Sequence, residues 1–408
     1  MSELPPAPPP SERNAPAEPE FTLEAPEPTL DTPVLPGRSY LGCAAWLLLL
    51  WGLGVLWGVT IMGRVDSTPA APLVIAVLLL PWLHVAASVL VVLALLRPRR
   101  SRWLWLVAVL HLGLEAGVRG DACTPACHLP RLGNDDDAPL RVLAWNVGRL
   151  GSFADPEEAR CSPDAARQGV LDTIRNAQPD VLVLLEISGR RLEALADDLA
   201  MACEQIDYYG RGGKGTGGLG VCVSNTGPWR ITRGRDLPLP PGWRYVFTEV
   251  SDGERTFNVM GLHVLPYGVT MREVERALQA LAHGEIGPLA AVLTQMEESV
   301  ATQAEQVAEV RRLVSGFQDP TIIAGDFNST PDSAVHVALR RQLSDSWHAV
   351  GRGAGITRSV GGWLPLRIDY VYTTPEIEAR SATTVDCHCD EALSCSDHMA
   401  LQVELGLE

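Results

Sequence analysis

The chain has 408 residues, a net charge of −16 and a hydrophobic fraction of 46%. It is longer than one typical domain and too apolar to be entirely water-exposed, so we expect part of it to lie in lipid. Residues 139–408 are also acidic, with 36 Asp and Glu against 24 Lys and Arg. This charge argues against a general nucleic-acid binder, because phosphate affinity is built from clustered Lys and Arg.

The first part of the chain predicts a tail followed by membrane helices. Residues 1–38 are rich in Pro, Glu and Ala and predict a disordered tail. Apolar blocks follow at 40–62, 72–96 and 103–118. The first two have the length of a bilayer span, about 20 residues, and the third is counted as a span because Trp103 and Trp105 suit the interface. Residues 39–119 are therefore predicted to be a transmembrane region of three helices, and 120–138 a linker.

The loops between these blocks predict the orientation. Four arginines lie at 97–102, whereas the preceding loop has only Arg64, offset by Asp66. By the positive-inside rule the arginine cluster is cytoplasmic, which places the C-terminal domain on the outer side of a multi-pass inner-membrane protein. A two-span alternative would return that domain to the cytoplasm.

The number of cysteines agrees with a C-terminal domain outside the cytoplasm. Eight of the nine lie after the apolar blocks, an even number that could pair in an oxidising compartment. Disulfides or plain thiols are favoured over thiolate metal sites around Cys123 or around Cys387, because neither cluster has paired Cys-x-x-Cys spacing.

Residues 139–408 predict a single α/β domain. Apolar, β-branched runs predict strands at 140–146, 180–186, 219–224, 244–250, 256–263, 320–326, 367–372 and 397–405. Helical patterns occur at 164–177, at 189–203, from Met271 onward and at 289–314. The glycine-rich run at 211–218 predicts a hairpin rather than a nucleotide-binding loop, because a strand pattern and not a helix follows it.

Polar side chains end six of the apolar runs, which is where a packed sheet delivers such groups to a shared pocket. They are Asn146, Glu186, His263, Asp326 with Asn328, Asp369, and Asp397 with His398. Oxygen ligands such as Glu186 and Asn146 suit Mg²⁺. Asp326 and Asn328 would share one face of an extended backbone, and a carboxylate such as Asp369 could fix the tautomer of His398 and favour its charged form.

In this order the six segments resemble the endonuclease/exonuclease/phosphatase superfamily, metal-dependent phosphodiesterases related to DNase I, over about residues 139–406. The resemblance implies a four-layer α/β sandwich, with two packed mixed β-sheets flanked by helices. It implies Glu186 as the main ligand of Mg²⁺, with Mn²⁺ as an alternative, and Asn146 and Asp397 close to it. The helix at 289–314 is additional to the usual family pattern and is expected to serve packing or face the membrane.

The resemblance also implies catalytic roles. Asp326 would orient or deprotonate the attacking water, and Asn328 would position the water or the phosphate. Asp369 with His398 would form a cationic group for the phosphate or a general base. His263 would bind phosphate or protonate the leaving oxygen.

We therefore expect a membrane-anchored bacterial phosphodiester hydrolase that depends on a divalent metal and is nuclease-like. The alternatives are a phospholipid or sphingolipid phosphodiesterase acting on a headgroup, and a small phosphate-ester phosphatase. A non-catalytic membrane scaffold or receptor is a different class, which the complete set of site residues disfavours. The expected partners are the phosphodiester substrate and the lipid bilayer, with no obligate protein partner.

Overall fold

The computed structural model describes residues 37–65, 71–96, 102–118, 139–148, 161–209, 216–234, 237, 243–360, 364–389 and 393–407. The predicted tail before residue 37, the linker at 120–138 and most of the arginine cluster lie outside these ranges, as do residues 210–215 of the glycine-rich run. The chain divides into two compact units, Met1–Leu49 and Leu50–Glu408. All contacts given below lie within the second unit.

Three helices cover the apolar blocks: α1 (Gly37–Val65), α2 (Ala71–Leu95) and α3 (Arg102–Val118). Buried polar side chains link them, since Thr60 Oγ1 lies 2.7 Å from His84 Nε2, and Trp57 Nε1 donates to His111 Nδ1 over 3.3 Å. Over the residues that the structure describes, no helix has both the length and the apolar character needed to cross a membrane. The three spans remain a prediction from the sequence.

The remainder is built on two six-stranded sheets. The first contains β1 (Leu140–Asn146), β2 (Val181–Leu185), β3 (Met201–Tyr209), β4 (Thr216–Ser224), β13 (Ile377–Val385) and β14 (Ala400–Leu407). The second contains β5 (Arg230–Gly234), β6 (Arg244–Ser251), β7 (Thr256–His263), β8 (Thr321–Asp326), β9 (Ser344–Asp345) and β12 (Asp369–Thr373). A hairpin of β10 (Arg358–Val360) and β11 (Leu364–Leu366) stands apart.

Both sheets are mixed. Their spatial orders are β13-β14-β1-β2-β4-β3 and β5-β6-β7-β8-β12-β9. Within them β1 pairs with β2, and β7 with β8, in parallel, while the other pairs are antiparallel. Parallel neighbours end at the same edge of a sheet, which matters for the site described below.

Helices cover the outer faces of the sheets. α4 (Pro163–Ala177) and α5 (Gly189–Leu199) cover the first sheet, and α7 (Gly287–Val314) and α8 (Ala334–Leu339) cover the second. α6 (Met271–Ala282) packs against α7, and α9 (Ser346–Val350) contributes Trp347 to the core between the sheets. Alternate residues of β1 belong to different clusters: Val142 faces the core between the sheets, whereas Leu143 packs beneath α4 and α5. A third cluster joins the second sheet to α7 and α8. These layers confirm the predicted α/β sandwich of two mixed sheets flanked by helices.

Several predicted boundaries were wrong. The helix predicted at 189–203 ends at Leu199, because Ala200 adopts a left-handed conformation with φ 52° and the chain then enters β3. The final strand begins at Ala400 rather than at 397. The strands β3, β5, β9, β10, β11 and β13 were not predicted. The second predicted helix after Met271 is α7, which buries Val307 and Val310 against the second sheet.

Three disulfide bonds join six of the cysteines: Cys161 with Cys389, Cys203 with Cys222, and Cys387 with Cys395. The Cys203–Cys222 bond links directly opposed residues of β3 and β4. The other two hold the segment between β13 and β14, one of them to the start of α4. Disulfides or plain thiols were favoured over metal sites, and the less favoured thiolate site at Cys387 is excluded because its sulfur is in a disulfide. Cys123 and Cys127 lie outside the described residues.

Candidate active site

The two sheets bring their polar strand ends to one place. In the first sheet β1 ends at Asn146, and Glu186 directly follows its parallel neighbour β2. In the second sheet His263 and Asp326 are register partners at the ends of parallel β7 and β8. Asp369 begins antiparallel β12 opposite Asp326. Parallel pairing therefore explains why side chains distant in sequence converge.

Left-handed backbone conformations occur at this edge. Glu186 has φ 57° and Asn328 has φ 50°. Asn tolerates this region, whereas a glutamate there carries a conformational cost of about 1–3 kcal/mol that the surrounding structure must offset. Gly325 has φ 147°, and an added Cβ would overlap the carbonyl oxygen of Leu262. The backbone around the site is therefore tightly specified.

Asn146 bridges the two sheets. Its Nδ2 donates to Glu186 Oε1 and to Asp326 Oδ2, each over 3.2 Å. Its Oδ1 accepts a hydrogen bond from the Gly148 amide at 3.1 Å. Oδ1 keeps a second lone pair, through which it could bind a cation.

Asp326 lies at the centre of the cluster and is almost completely buried. Its Oδ2 lies 3.9 Å from His263 Nε2 and 3.8 Å from His398 Nε2, and its Oδ1 accepts from the Asn328 amide at 2.8 Å. Burial and the charge of Asp369 raise the pKa of Asp326 to about 7, although His398 and the Asn328 hydrogen bond oppose the rise. A carboxyl group with this pKa can accept a proton near neutral pH.

His398 and Asp369 form a buried pair. His398 Nδ1 lies 2.8 Å from Asp369 Oδ2, and the His398 carbonyl accepts a hydrogen bond from Trp145 Nε1 at 2.9 Å. Burial would lower the pKa of His398, but the carboxylates of Asp369 and Asp397 outweigh it and raise the pKa to about 9. His398 is therefore a cation at neutral pH, with Nε2 directed towards Asp326.

His263 is held by a residue that the sequence reasoning missed. Tyr208 Oη lies 2.8 Å from His263 Nδ1, and the Arg244 guanidinium lies 4.5 Å from the Tyr208 ring centre. Burial, together with the charge of Glu186, raises the pKa of Tyr208 well above its ordinary value. Tyr208 thus keeps its proton and can donate a hydrogen bond to His263 Nδ1. With that bond, the ring hydrogen of a neutral imidazole would lie on Nε2. That nitrogen lies 4.0 Å from Glu186 Oε1.

Asn328 differs from its predicted arrangement. The prediction assumed an extended backbone, but β8 ends at Asp326 and Asn328 is left-handed. Its Nδ2 donates to the Val264 carbonyl at 2.9 Å, and its own carbonyl accepts from Gln303 of α7 at 3.4 Å. Only its backbone amide contacts Asp326. The helix α7 therefore supports the loop that follows Asp326, in accordance with the predicted packing role.

Asp397 pairs with a second residue that was missed. Asp397 Oδ2 lies 3.0 Å from Arg358 Nη2, and both side chains are 32% exposed. Burial would raise the pKa of Asp397, but His398 and Arg358 hold it below its ordinary value. Arg358 belongs to a three-residue strand whose sequence has no distinguishing pattern, so nothing in the sequence marked it.

The donor set suits a hard divalent cation. Among the described residues, ligand atoms of Asp326, Asp369 and His398 lie within 4.8 Å of one another. His398 is not a ligand while it is protonated, so the oxygen donors are those of Asp326 and Asp369, which Asn146 joins to Glu186. Asp369 Oδ1 is buried without a hydrogen-bond partner among the described residues. A buried carboxylate oxygen in this state is a suitable cation ligand, because leaving it unpaired costs free energy.

The site can be compared with known proteins. A family model described as the endonuclease/exonuclease/phosphatase family matches residues 143–398, whereas no curated protein matches the chain. Similar solved structures include the human Nocturnin catalytic domain, with 17% identity, 66% of this chain and 95% of that chain covered, and a TM-score of 0.45. D. rerio TDP2 complexed with single strand DNA product is 13% identical, with 66% of this chain and 100% of that chain covered and a TM-score of 0.48.

A mannosyl-6-phosphatase from Bacteroides thetaiotaomicron is also similar, with 16% identity, 66% of this chain and 100% of that chain covered, and a TM-score of 0.46. At these identities and TM-scores the similarities do not indicate a substrate.

Proposed function

Because the chain belongs to the endonuclease/exonuclease/phosphatase family and is a phosphoric ester hydrolase, we propose that it hydrolyses phosphodiesters with the help of a divalent cation. The observation that carries the proposal is the convergence of Glu186, Asn146 and Asp326 with the Asp369–His398 pair. Acidic oxygen ligands lie beside a cationic imidazole. This combination suits a phosphate group bound through both a metal and a protonated side chain.

Glu186 and Asn146 would hold Mg²⁺, or alternatively Mn²⁺, and Asp397 is the third predicted ligand. When bound, such an ion neutralises charge on the phosphate and stabilises the leaving oxygen. The protein groups supply the remaining functions. Asp326 accepts a proton from the attacking water at Oδ2 as the new oxygen–phosphorus bond forms and the bond to the leaving oxygen breaks.

The two histidines have different roles in this proposal. His398, kept protonated by Asp369, binds a phosphate oxygen whose negative charge grows in the transition state. His263 is oriented by Tyr208 so that Nε2–H faces the site, which favours hydrogen bonding to the phosphate over proton donation to the leaving oxygen. The Tyr208–His263 distance of 2.8 Å supports this choice between the two predicted roles.

For the substrate class we propose nucleic acid, in a nuclease-like reaction. The net charge of −12 over residues 139–408 disfavours extended duplex DNA, whose binding requires many Lys and Arg contacts. A phospholipid or sphingolipid headgroup and a small phosphate ester are the alternative substrates. A non-catalytic scaffold is the alternative of another class.

For localisation we propose a multi-pass inner-membrane protein with its catalytic domain outside the cytoplasm. The apolar blocks and the arginine cluster at 97–102 support this orientation. The disulfides Cys161–Cys389, Cys203–Cys222 and Cys387–Cys395 support an oxidising compartment for the domain.

A substrate screen tests the activity. The purified full-length chain is treated with EDTA, then assayed with and without added Mg²⁺ on single-stranded DNA, plasmid DNA, sphingomyelin and bis-p-nitrophenyl phosphate. We expect hydrolysis to require the cation and to be lost in Asp326→Asn. Asp252→Asn is the matched control, because it makes the same change in the turn between β6 and β7, at the end of β7 opposite to His263. Full activity in excess chelator, or normal turnover by Asp326→Asn, would overturn the proposal.

A further inference from the structure

Arg358 adds a permanently charged cation to a site rich in carboxylates. Its Nη2 lies 3.0 Å from Asp397 Oδ2, and its backbone forms a bridge with His398. Burial would lower the pKa of this guanidinium, but the carboxylates of Asp397, Asp326, Glu186 and Asp369, in that order, raise it. The ion pair with Asp397 thus places a fixed positive charge among the carboxylates of the site.

The backbone holds Arg358 in this place. The amide of neighbouring Thr357 donates to the Leu366 carbonyl at 2.9 Å, and the Thr357 carbonyl accepts from Met399 at 2.7 Å. Thr357 Oγ1 also accepts from the amides of Ile368 and Asp369, each at 3.1 Å. These bonds tie the start of β10 to the segments that carry Asp369 and His398. The position of the guanidinium is thus coupled to the reacting groups.

The hydrogen-bonding capacity of Arg358 is only partly used. A guanidinium has five N–H donors in a planar fork that matches the oxygens of a phosphate. The ion pair with Asp397 is the one contact of this side chain within 4.0 Å that involves a described carboxylate, and the buried Nε has no hydrogen-bond partner among the described residues. A buried donor without a partner costs free energy that a ligand oxygen could recover.

We propose that Arg358 is a substrate-binding residue that holds a non-bridging oxygen of the scissile phosphate, exchanging its ion pair with Asp397 for the phosphate. This inference rests on the proposed phosphoester hydrolysis and adds a binding group to it. The exchange also frees the Asp397 carboxylate, the predicted ligand of the cation. Before substrate binds, Arg358 offsets the negative charge of Asp397, and it then binds the anionic phosphate of the substrate.

Kinetics of the full-length chain with Arg358→Gln and Arg358→Lys test this role. The readouts are kcat and KM for bis-p-nitrophenyl phosphate and the inhibition constant of inorganic phosphate. We expect Arg358→Gln to raise KM and the phosphate inhibition constant by about 10- to 100-fold, the effect of losing a charge-assisted hydrogen bond. Arg358→Lys should recover part of the loss, because it keeps the charge without the fork.

The control is Arg255→Gln, a change at an exposed arginine that pairs with Asp252 in the β6–β7 turn. It should leave all three constants unchanged. An unchanged phosphate inhibition constant in active Arg358→Gln would overturn the inference and leave Arg358 as the structural partner of Asp397.

Failure of the proposed function is distinguishable from failure of this inference. If the wild-type chain hydrolyses no phosphodiester, calorimetric titration of the same variants with inorganic phosphate replaces kinetics. Weaker binding by Arg358→Gln than by wild type would then still support the phosphate-binding role, whereas equal binding, or none in either protein, would refute it.

Discussion

Replacing Asp369 by asparagine tests the charge state on which the proposed chemistry depends. The substitution keeps the size of the side chain and removes the carboxylate that lies 2.8 Å from His398 Nδ1. Both residues are almost fully buried, so little solvent screening reduces their interaction. Without the Asp369 charge, less negative charge opposes the effect of burial on His398, so its pKa should fall and the imidazole should become neutral at a lower pH.

The magnitude follows from the raised pKa. His398 has a pKa of about 9 against an ordinary value of 6.5. A fall to 6.5 or below removes about 3 kcal/mol of preference for the charged imidazole, at about 1.4 kcal/mol per pKa unit. If His398 must be protonated in the transition state, the protonated fraction at pH 7.5, and with it the rate, should fall about tenfold when the pKa is 6.5, and further when the pKa is lower. Thermal stability should change less, by about 1–3 kcal/mol for one charge-assisted hydrogen bond.

The assay combines titration and turnover. NMR of the imidazole protons in EDTA-treated enzyme gives the pKa of His398 in wild type and in Asp369→Asn, and phosphodiester turnover in Mg²⁺ gives the rates. Asp252→Asn serves as the control for loss of one negative charge. An unchanged pKa of His398, or unchanged turnover with a shifted pKa, would refute the reasoning.

The raised pKa of His398 also predicts how the stability of the protein depends on pH. Because the folded-state pKa of His398 is raised, its pairing with Asp369 stabilises the protein fully below pH 6.5. This contribution is lost as the pH rises from 6.5 through about 9. Denaturant melts of the metal-free enzyme should therefore show the advantage of wild type over Asp369→Asn shrinking across that window. A constant difference from pH 6 to pH 10 would contradict the assignment.

Further changes test other parts of the structure. Glu186→Gln should raise the Mg²⁺ concentration for half-maximal activity by about tenfold, because it weakens a ligand; an unchanged metal titration would remove Glu186 from the metal site. Gly325→Ala should lower the free energy of unfolding by about 2–5 kcal/mol, since its φ is 147° and its Cβ would overlap the Leu262 carbonyl; a normal denaturant midpoint would contradict this. Cys389→Ser should cost about 2–4 kcal/mol by opening a loop of 228 residues, and equal melting of the variant and wild type would show that this bond does not form. A reporter fused after Glu408 should behave as extracytoplasmic, and protection of the domain from protease in intact spheroplasts would refute the three-span orientation.

The sequence predicted the strand ends well because each signal is local. A continuous apolar run such as 181–185 indicates a strand buried on both faces, and the acid that follows it must lie at a sheet edge. The same reasoning located Asn146, Asp326 and Asp369. Asn146 and Asp326 end β1 and β8 as predicted, whereas Asp369, expected inside a strand at 367–372, is the first residue of β12. The parallel pairs β1–β2 and β7–β8, with β12 antiparallel to β8, bring the three residues together.

The groups that the sequence did not predict depend on distant contacts. Tyr208 lies on the edge strand β3 and reaches His263 only because the two sheets pack face to face. Arg358 lies in a short hairpin held by hydrogen bonds from other segments. The boundary between α5 and β3 was missed because the apolar pattern continued through Ala200, and its left-handed turn has no local signal such as glycine.

The packing of the two sheets sets the geometry of the site. Asn146 and Glu186 belong to the first sheet, whereas Asp326 and His263 belong to the second, and the 3.2 Å contact between Asn146 and Asp326 spans the gap between them. Gly261, two residues before His263, makes this approach possible, because a Cβ there would lie 2.9 Å from the Leu219 side chain in the opposite sheet. The catalytic distances thus depend on side-chain volume in the core between the sheets. A substitution that separates the sheets by a few tenths of an ångström would lengthen the Asn146–Asp326 contact and move the proposed base away from the proposed metal ligand.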